Sequence, residues 1–493
     1  MITLQKLFYG YTDIQIPPEI DENTLFDIAL SDTEIKSNSL FFITEKVGAM
    51  QSVFDMSTLH NTPAAIVASR SHNISSPTCP IIRVGDARSS LSYAISNLYK
   101  IDYTKVKIIG ITGTNGKTTT ATLIYKILRR CGYKVGFIGT GKILSDTVKL
   151  SDDDYSMTTP DPTLLYPSIS RMIEDGCKYI VMEVSSHAIA LGKIAPLKFE
   201  YSIFTNLDND HLDFHKSKDE YFKAKLKLFD VSKAGLFNMD DAYSRKAYTL
   251  CKCKKNSFGI IYSADTYATE IDINLFSTSF FYKGTNLIFK VNTNFTGAFN
   301  VYNTMAALRC VTDLGIKPCV AKNALEHIQK IEGRMEIRSG EFTVVIDYAH
   351  TPEAFLNCIK TLKQSINIRQ RLVIVFGCGG NRDPQKRPLF GKYAEMYADE
   401  IIITEDNNRN ESFDTIVNDI VSGMTKQTHK IINDRECAIR YALHSATAGD
   451  VVALIGKGHE KYKITGTEYI PFDERKIVDD ILAEIGGKDA DNA

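Results

Sequence analysis

The stretch Gly110-Ile111-Thr112-Gly113-Thr114-Asn115-Gly116-Lys117-Thr118-Thr119 decides how the chain is read. Before it comes Val106-Lys107-Ile108-Ile109-Gly110-Ile111, an apolar-rich run that predicts a buried strand. After it, Leu123, Ile124, Ile127 and Leu128 share one helical face, which predicts a helix over 117–130, and Gly132 predicts its stop. Glycines between a strand and a helix let backbone N–H groups turn inward around phosphate oxygens, and the helix start adds partial positive charge. Lys117 then serves as a point charge for β and γ oxygens, and the Thr118 hydroxyl reaches Mg²⁺. The strict spacing of such loops asks for glycine at 111; Ile111 stands there, and the upstream glycines are Gly110 and Gly113. Nucleotide binding by Gly113, Thr114, Asn115, Gly116, Lys117, Thr118 and Thr119 is expected. A phosphate loop alone does not name a reaction.

Around that loop lie 493 residues, which at about 150 per domain predicts roughly three domains. Apolar residues make up 44% and charged residues 24%, a globular composition. Lys+Arg (58) nearly cancels Asp+Glu (59) for a net charge of −1, so substrate charge is met by local clusters and no nucleic-acid partner is expected. No apolar run is long enough for a membrane span, and the first residues, from Met1 to Gly10, lack the pattern of a secretory signal. A cytoplasmic protein without a membrane partner is expected. The ten cysteines are scattered, and the only close pair, Cys251-Lys252-Cys253, has no second pair at zinc-ligand spacing. Reduced structural cysteines are expected.

Further strand-like runs span 39–44, 64–68, 81–84, 179–184, 201–204, 343–346, 372–376, 400–404 and 451–455, most of them separated by amphipathic helical stretches. This alternation predicts an α/β chain of parallel sheets covered on both faces. The segment 266–295 alternates aromatic and polar residues and predicts antiparallel strands. Boundaries are expected near 103 and 332. They give a smaller α/β N-terminal domain (1–102), a central phosphate-loop domain (103–332) with a mostly parallel sheet, and a Rossmann-like C-terminal domain (333–493).

Polar clusters follow several strands, where ligands bind in open α/β sheets. The run 179–184 leads into Glu183-Val184-Ser185-Ser186-His187, and 201–204 into Thr205-Asn206-Leu207-Asp208-Asn209-Asp210-His211-Leu212-Asp213-Phe214-His215. A carboxylate at such an end suits Mg²⁺, which takes hard oxygen ligands.

With these pieces in order, the chain resembles the Mur ligases, ATP-dependent amide-forming enzymes of peptidoglycan precursor synthesis. The resemblance rests on Gly113 to Thr118, Glu183 to His187, Asn206 to His215, Tyr221-Phe222-Lys223-Ala224-Lys225, Gly333-Arg334-Met335-Glu336 and Asp347-Tyr348-Ala349-His350-Thr351-Pro352. The C-terminal motifs are similar to those of the MurE branch: Gly377 to Asp383, Asp406-Asn407-Asn408-Arg409 and Gly456-Lys457-Gly458-His459-Glu460. That branch adds meso-diaminopimelate or L-lysine to UDP-MurNAc-L-Ala-D-Glu through an acyl phosphate. The resemblance implies ATP and Mg²⁺ as cofactors, small-molecule substrates and a monomer. It assigns Thr118, Glu183 and His211 to metal, Asn300, Arg334 and Asp347 to ATP, and Lys117, Lys225 and His211 to catalysis. Lys225 is implied to be carbamylated (N6-carboxylysine), although Lys223, Lys225 and Lys227 also read as rungs of one solvated basic face. Ser31, Thr158, Thr159, Ser185 and Lys193 are implied to hold the acyl donor, with Tyr348 and His350 lining the same cleft as ATP.

For the amino acid the implied set is Arg382, Asp406, Asn407, Asn408, Arg409, Gly456 and Glu460. Asn408 replaces the proline of the diaminopimelate-type Asp-Asn-Pro-Arg motif, while Arg409 remains. Diaminopimelate carries a second carboxylate that lysine lacks, and two arginines suit it in bidentate geometry, so diaminopimelate is the expected substrate. The first domain departs most. Ser31-Asp32-Thr33 stands for Asp-Ser-Arg, an Asp-Gly stretch is missing around 48–56, and Leu191 and Lys193 replace Gln and Arg. Two alternatives stay open on these grounds: a ligase of this type using L-lysine or a non-muramoyl acyl donor, and a phosphate-loop ATPase or nucleotide-binding module without ligase chemistry.

Overall fold

The computed structural model describes the chain except Glu22, residues 45–53, Ser76, residues 152–156, Asn286, Gln427 and residues 492–493. Most of the divergent 48–56 stretch lies outside the described residues. The described residues build three main sheets. In the first, Leu25–Ala29, Ser39–Phe42, Ala65–Ser69 and Ile81–Val84 run parallel, with Ile2–Thr3 and Ile14–Gln15 antiparallel at the two edges. In the third, Thr343–Asp347, Val451–Ile455, Leu372–Phe376, Glu400–Ile403 and His429–Ile431 run parallel, and Glu336–Ser339 closes one edge antiparallel.

The second sheet is the largest, eleven strands among the described residues. Its parallel part runs Val135–Gly139, Tyr179–Glu183, Lys107–Thr112, Phe199–Phe204, Ser232–Asn238 and Lys254–Gly259. Thr266–Ile273, Thr278–Gly284 and Leu287–Thr293 extend it as the expected antiparallel strands. Ser232–Asn238 and Lys254–Gly259 were not legible as strands, because Ser232, Lys233, Lys254 and Lys255 give them polar starts. Val135–Gly139 carries two glycines in five residues, which weakens its pattern in the same way.

Lys107–Thr112 occupies the middle of this sheet and is buried on both faces, as its near-continuous apolar run demands. The helix Lys117–Arg130 follows and buries Leu123, Ile124, Ile127 and Leu128 against the sheet, with Gly132 in the left-handed region (φ 87°) just past its end. Gly116 caps its start at φ 83°, and a Cβ there would collide with the Asn303 side chain of the helix Ala298–Asp313. All ten cysteines are free thiols. Among the described residues no helix is long and apolar enough to cross a membrane.

In the third unit the helix Glu474–Asp491 is fastened by a buried ion pair. Glu474 and Arg435, the first residue of the helix Arg435–Ser445, meet at 2.6 Å and are 0% and 1% exposed. Arg435 also donates to the carbonyls of Glu405 (3.2 Å) and Ile455 (3.1 Å), each the residue before a site motif. Breaking a buried pair leaves an uncompensated charge. Arg435→Ala is expected to lower the stability of this unit by about 3–5 kcal/mol in urea unfolding. Lys476→Ala, which removes the exposed pair with Asp480, is expected to leave the midpoint almost unmoved.

Candidate active site

Parallel strands deliver their C-terminal ends to one side of a sheet, and the second and third sheets turn those ends toward each other. A cleft of about 740 Å³ lies between them. Thr112 leads into the phosphate loop, Glu183 and Asn238 end their strands at the cleft, and Phe204 leads into Thr205 and Asn206. From the other side come Asp347, Gly377, Asp406 and Gly456, each at or just past the end of a strand.

The loop is held by its neighbours. Asn206 Oδ1 accepts from the Asn115 amide (2.9 Å), Thr205 Oγ1 donates to the Asn115 carbonyl (2.6 Å), and the Thr114 amide donates to the Asn206 carbonyl (3.0 Å). Lys117 Nζ donates to the carbonyls of Gly113 (2.9 Å) and Thr114 (2.8 Å), so this ammonium is held by its own loop. Burial lowers its pKa, against the pull of Glu183 and Asp210. Thr118 Oγ1 donates to Glu183 Oε2 (2.9 Å) and accepts from Arg334 Nη2 (3.0 Å), a contact between the central and C-terminal units. Glu183, fully buried, also accepts from the Thr140 amide (3.1 Å).

Lys225 is 1% exposed, whereas Lys223 and Lys227 on the same helix are exposed, so the solvated basic face does not include it. Its ammonium donates to the Gly113 carbonyl (2.9 Å) and lies 4.4 Å from the Tyr221 ring centre. Burial, with Lys117 adding to it, pushes its pKa well below the ordinary lysine value. His211 sits at φ 54°, pairs with Asp210 (3.3 Å) and meets the His187 ring edge-on at 4.8 Å. Burial carries its pKa down to about 3, although Asp210 opposes this.

Asn300 lies in the first turn of the helix Ala298–Asp313 at the cleft, where its Nδ2 donates to the Thr296 carbonyl (2.8 Å) and its Oδ1 accepts from Asn303 (3.0 Å). Asp347 accepts from the amides of Met335 (2.7 Å) and Ala349 (2.8 Å); burial raises its carboxyl above the ordinary range, with Arg334 opposing. The Arg334 guanidinium lies 4.5 Å from the Tyr348 ring centre, and its Nε is buried without a partner. Thr119, Gly116 and Thr158 line the cleft, as do Tyr348 and His350.

At the far end of the cleft Arg382 and Arg409 approach the same glycine, Gly379. Arg409 Nη1 donates to the carbonyls of Gly380 (2.9 Å) and Asn407 (3.2 Å), and both burial and Arg382 act against its charge. Asp406, Asn407, Gly456 and Glu460 line the cleft beside them. Asn408 does not line it, and its buried Oδ1 has no partner. Lys457, to which the sequence pattern gives no role although it stands within Gly456 to Glu460, is fully buried at the centre of this group. Its ammonium reaches Asn407 Oδ1 (2.6 Å), the Tyr462 carbonyl (2.8 Å), Glu460 Oε2 (3.2 Å) and Asp406 Oδ1 (3.3 Å). Lys457 and Arg435 hold Asp406 below the usual carboxylate range despite its burial.

The residues expected to hold an acyl donor are more dispersed. Thr159 Oγ1 donates to the Glu183 carbonyl (2.9 Å) and accepts from the Ser185 amide (3.0 Å), tying both residues to the strand that bears Glu183. Lys193 pairs with Asp161 at 2.6 Å. Ser31 lies on the first sheet's turn Asp32–Glu34, where Glu34 accepts from its amide, and it is not part of the cleft lining. Thr140 was missed because the strand before it was not legible; Phe137-Ile138-Gly139-Thr140-Gly141 was its only signal.

The donors present fit a magnesium nucleotide. Glu183 and Thr118 supply hard oxygens, Arg334 Nε is an orphaned donor, and Lys117 is satisfied only by backbone of its own loop. Among the described residues no three His, Cys, Asp or Glu side chains converge as a self-sufficient metal site. Glu183 and Thr118 match what Mg²⁺ takes from a protein, one or two carboxylates or other hard oxygens beside substrate phosphates.

The chain matches family models for the Mur ligase middle domain over residues 111–311 and the Mur ligase glutamate ligase domain over residues 333–458. It is 41% identical over 433 residues to a protein of Caldanaerobacter subterraneus subsp. tengcongensis named UDP-N-acetylmuramoyl-L-alanyl-D-glutamate--2,6-diaminopimelate ligase, covering 86% of this chain and 88% of that one. A Clostridium acetobutylicum protein of the same name, numbered 1, is 37% identical over 413 residues, 83% of this chain and 85% of that one. A solved structure of a ligase so named superposes with a TM-score of 0.66 at 26% identity, covering 98% of this chain and 99% of that chain. With both cleft-forming units matched and the likeness running through nearly the whole chain, this protein belongs to the Mur ligase family.

Proposed function

We propose that the chain is an ATP-dependent ligase that joins meso-diaminopimelate to the glutamyl carboxylate of UDP-MurNAc-L-Ala-D-Glu. The observation that carries this reading is the continuity of the cleft, which runs from Lys117 and Thr118 on one sheet to Arg409 and Glu460 on the other. Relatives at 41% and 37% identity bear the name of that activity.

A carboxylate is a poor acyl donor because oxide would have to leave. In the proposed reaction a carboxylate oxygen attacks the γ-phosphorus of ATP, ADP leaves, and an acyl phosphate results. The neutral amine then attacks the acyl carbon, phosphate leaves, and the amine gives up its proton. Two anions must meet in the first step, so fixed positive charge is the main requirement. Lys117 and Arg334 supply it around the phosphates, with Gly113 to Thr119 cradling them and Asn300 and Asp347 holding the rest of the nucleotide. Mg²⁺ would supply further charge neutralisation when bound, with Thr118 and Glu183 to hold one ion and His211 to hold another. Thr158, Thr159, Ser185 and Lys193 hold the acyl donor, and Ser31 its distal part on the first sheet. The proposed occupant of the arginine pair is the far carboxylate of diaminopimelate, with Glu460, Asp406 and Asn407 taking its ammonium; Asn408 and Gly456 shape the surrounding turns. Carbamylation of Lys225 turns an uncompensated buried ammonium into an anion, which fits its surroundings. The protein acts as a monomer.

Release of phosphate is expected to require both UDP-MurNAc-L-Ala-D-Glu and meso-diaminopimelate. Turnover with the amino acid but another acceptor would point to a different acyl donor, and turnover indifferent to any amino acid would overturn the ligase reading. Losing a charge-assisted contact costs about 1.5–3 kcal/mol, so Arg409→Ala is expected to raise the KM for meso-diaminopimelate by about 10–100-fold while L-lysine stays a poor substrate.

Lys225→Met is expected to lower turnover at least about 100-fold, on the scale of losing a key electrostatic group. In bicarbonate-free buffer it should also raise the unfolding midpoint at neutral pH. Because the folded-state pKa of Lys225 is depressed, the unfolded chain binds more protons between that value and the ordinary lysine value. Wild-type stability therefore rises with pH through that window, and the variant's advantage shrinks. Carbon-13 bicarbonate should give a carbamate resonance in wild type and none in the variant.

A further inference from the structure

One unbroken set of side-chain contacts connects the phosphate loop to the amino-acid end of the cleft. Thr118 Oγ1 accepts from Arg334 Nη2 at 3.0 Å, and the Arg334 guanidinium lies over the face of Tyr348, 4.5 Å from the ring centre. The Tyr348 hydroxyl donates to Glu460 Oε1 at 3.2 Å. Glu460 Oε2 in turn accepts from Asn407 Nδ2 (2.9 Å) and Lys457 (3.2 Å). Tyr348 is the only member of this set that touches both a phosphate-side group and an amino-acid-side group. We propose that Tyr348 is a positioning residue that couples occupancy of the amino-acid site to nucleotide binding, through Glu460 on one side and Arg334 on the other. The proposal rests on the ligase reading above and deepens it.

The coupling starts at Glu460. Its two oxygens already accept three donors, and a substrate ammonium must be added to or substituted among them. Any shift of Oε1 is felt by the Tyr348 hydroxyl, because burial raises that phenol well above its ordinary value and keeps it a donor. Tyr348 cannot absorb the shift locally. Gly458, at φ 53°, packs against its backbone and Cβ, and Gly333, at φ 62°, packs against the backbone of Gly458 and His459, leaving no room for a Cβ on either glycine. The turn that carries Arg334 is thus packed directly on the turn that carries Glu460. A displaced Tyr348 ring moves the face on which Arg334 rests, and Arg334 holds Thr118 at the start of the loop helix. Reciprocity follows: nucleotide that draws Arg334 forward also sets the Tyr348 hydroxyl for Glu460.

The test uses the full chain, with UDP-MurNAc-L-Ala-D-Glu saturating and a non-hydrolysable ATP analogue with Mg²⁺ as the titrant. Affinity for the analogue is measured with and without saturating meso-diaminopimelate, in wild type and in Tyr348→Phe, which keeps the ring under Arg334 and removes the hydroxyl. The readout is the ratio of the two affinities within each protein, so a general loosening of either site cancels. The expected ratio is about fivefold or more in wild type, within the usual range of coupled sites, and below about twofold in the variant. An equal ratio in the two proteins, or a wild-type ratio near one, overturns the coupling role. A direct titration with meso-diaminopimelate separates the two readings: no binding to wild type in the presence of both other ligands overturns the proposed substrate, whereas binding without altered coupling overturns only the role of Tyr348.

Discussion

Two ammonium groups, one buried and one half-buried, share one carbonyl oxygen, and much of the molecule is arranged around that fact. Lys117 and Lys225 both donate to the Gly113 carbonyl at 2.9 Å, and each has its pKa depressed by burial. Positive charge at such density is costly without a counter-anion. The arrangement is stable only because surrounding structure fixes it: Gly116 in a left-handed conformation, Asn206 and Thr205 bracing Asn115, and the central strand Lys107–Thr112 delivering the loop. In the proposed function, that cost secures a site prepared for polyphosphate and a second anion before either arrives.

The other half of the cleft follows the same logic with different parts. Arg382 and Arg409 approach one glycine with burial and mutual repulsion working against the charge of Arg409, while Lys457 is fully neutralised by Asp406, Glu460 and neighbouring carbonyls. One end therefore has cationic charge to offer and the other has carboxylate oxygens, the pattern an amino acid with a distal carboxylate requires. Behind these side chains stand two buried arginines. Arg435, paired with Glu474, fixes the carbonyls before Asp406 and Gly456. Arg387, held by Glu411 and Asp419, reaches the Gly379 carbonyl (3.3 Å), and Glu411 also accepts from the Asn381 amide. Sites of this kind need such support because a shift of a fraction of an ångström at a donor is felt in the reaction.

The phosphate loop and the strand and helix on either side of it are legible in the sequence because their signals are local. A strand of continuous apolar residues, a glycine-rich turn and a helix with one apolar face each declare themselves within a few residues, and Lys117–Arg130 has the bounds its pattern predicts. Burial of an individual polar side chain is not local. Nothing in the spacing of Lys223, Lys225 and Lys227 says which one turns inward; the fold decides it by placing Lys225 over the Tyr221 ring and under Gly113. Lys457 is hidden for the same reason, since its partners Asn407 and Tyr462 come from separate segments, a loop and the start of a strand. Thr140 was lost with its strand, where two glycines blunt the pattern. The strands of the first domain are legible, but its donor-binding residues are not, and Ser31 shows why. Its setting, a short turn capped by Glu34, is a structural use that the same residue type serves in any protein.

In the proposed reaction, fixed charge at the loop brings a carboxylate to the γ-phosphorus. Isotope transfer tests it most directly. UDP-MurNAc-L-Ala-D-Glu carrying oxygen-18 in the glutamyl γ-carboxylate would be turned over with unlabelled ATP and meso-diaminopimelate, and the released phosphate analysed by mass spectrometry. An acyl phosphate passes one carboxylate oxygen to phosphate, so the account predicts one labelled oxygen in each phosphate released. Unlabelled phosphate accompanied by amide product would contradict it.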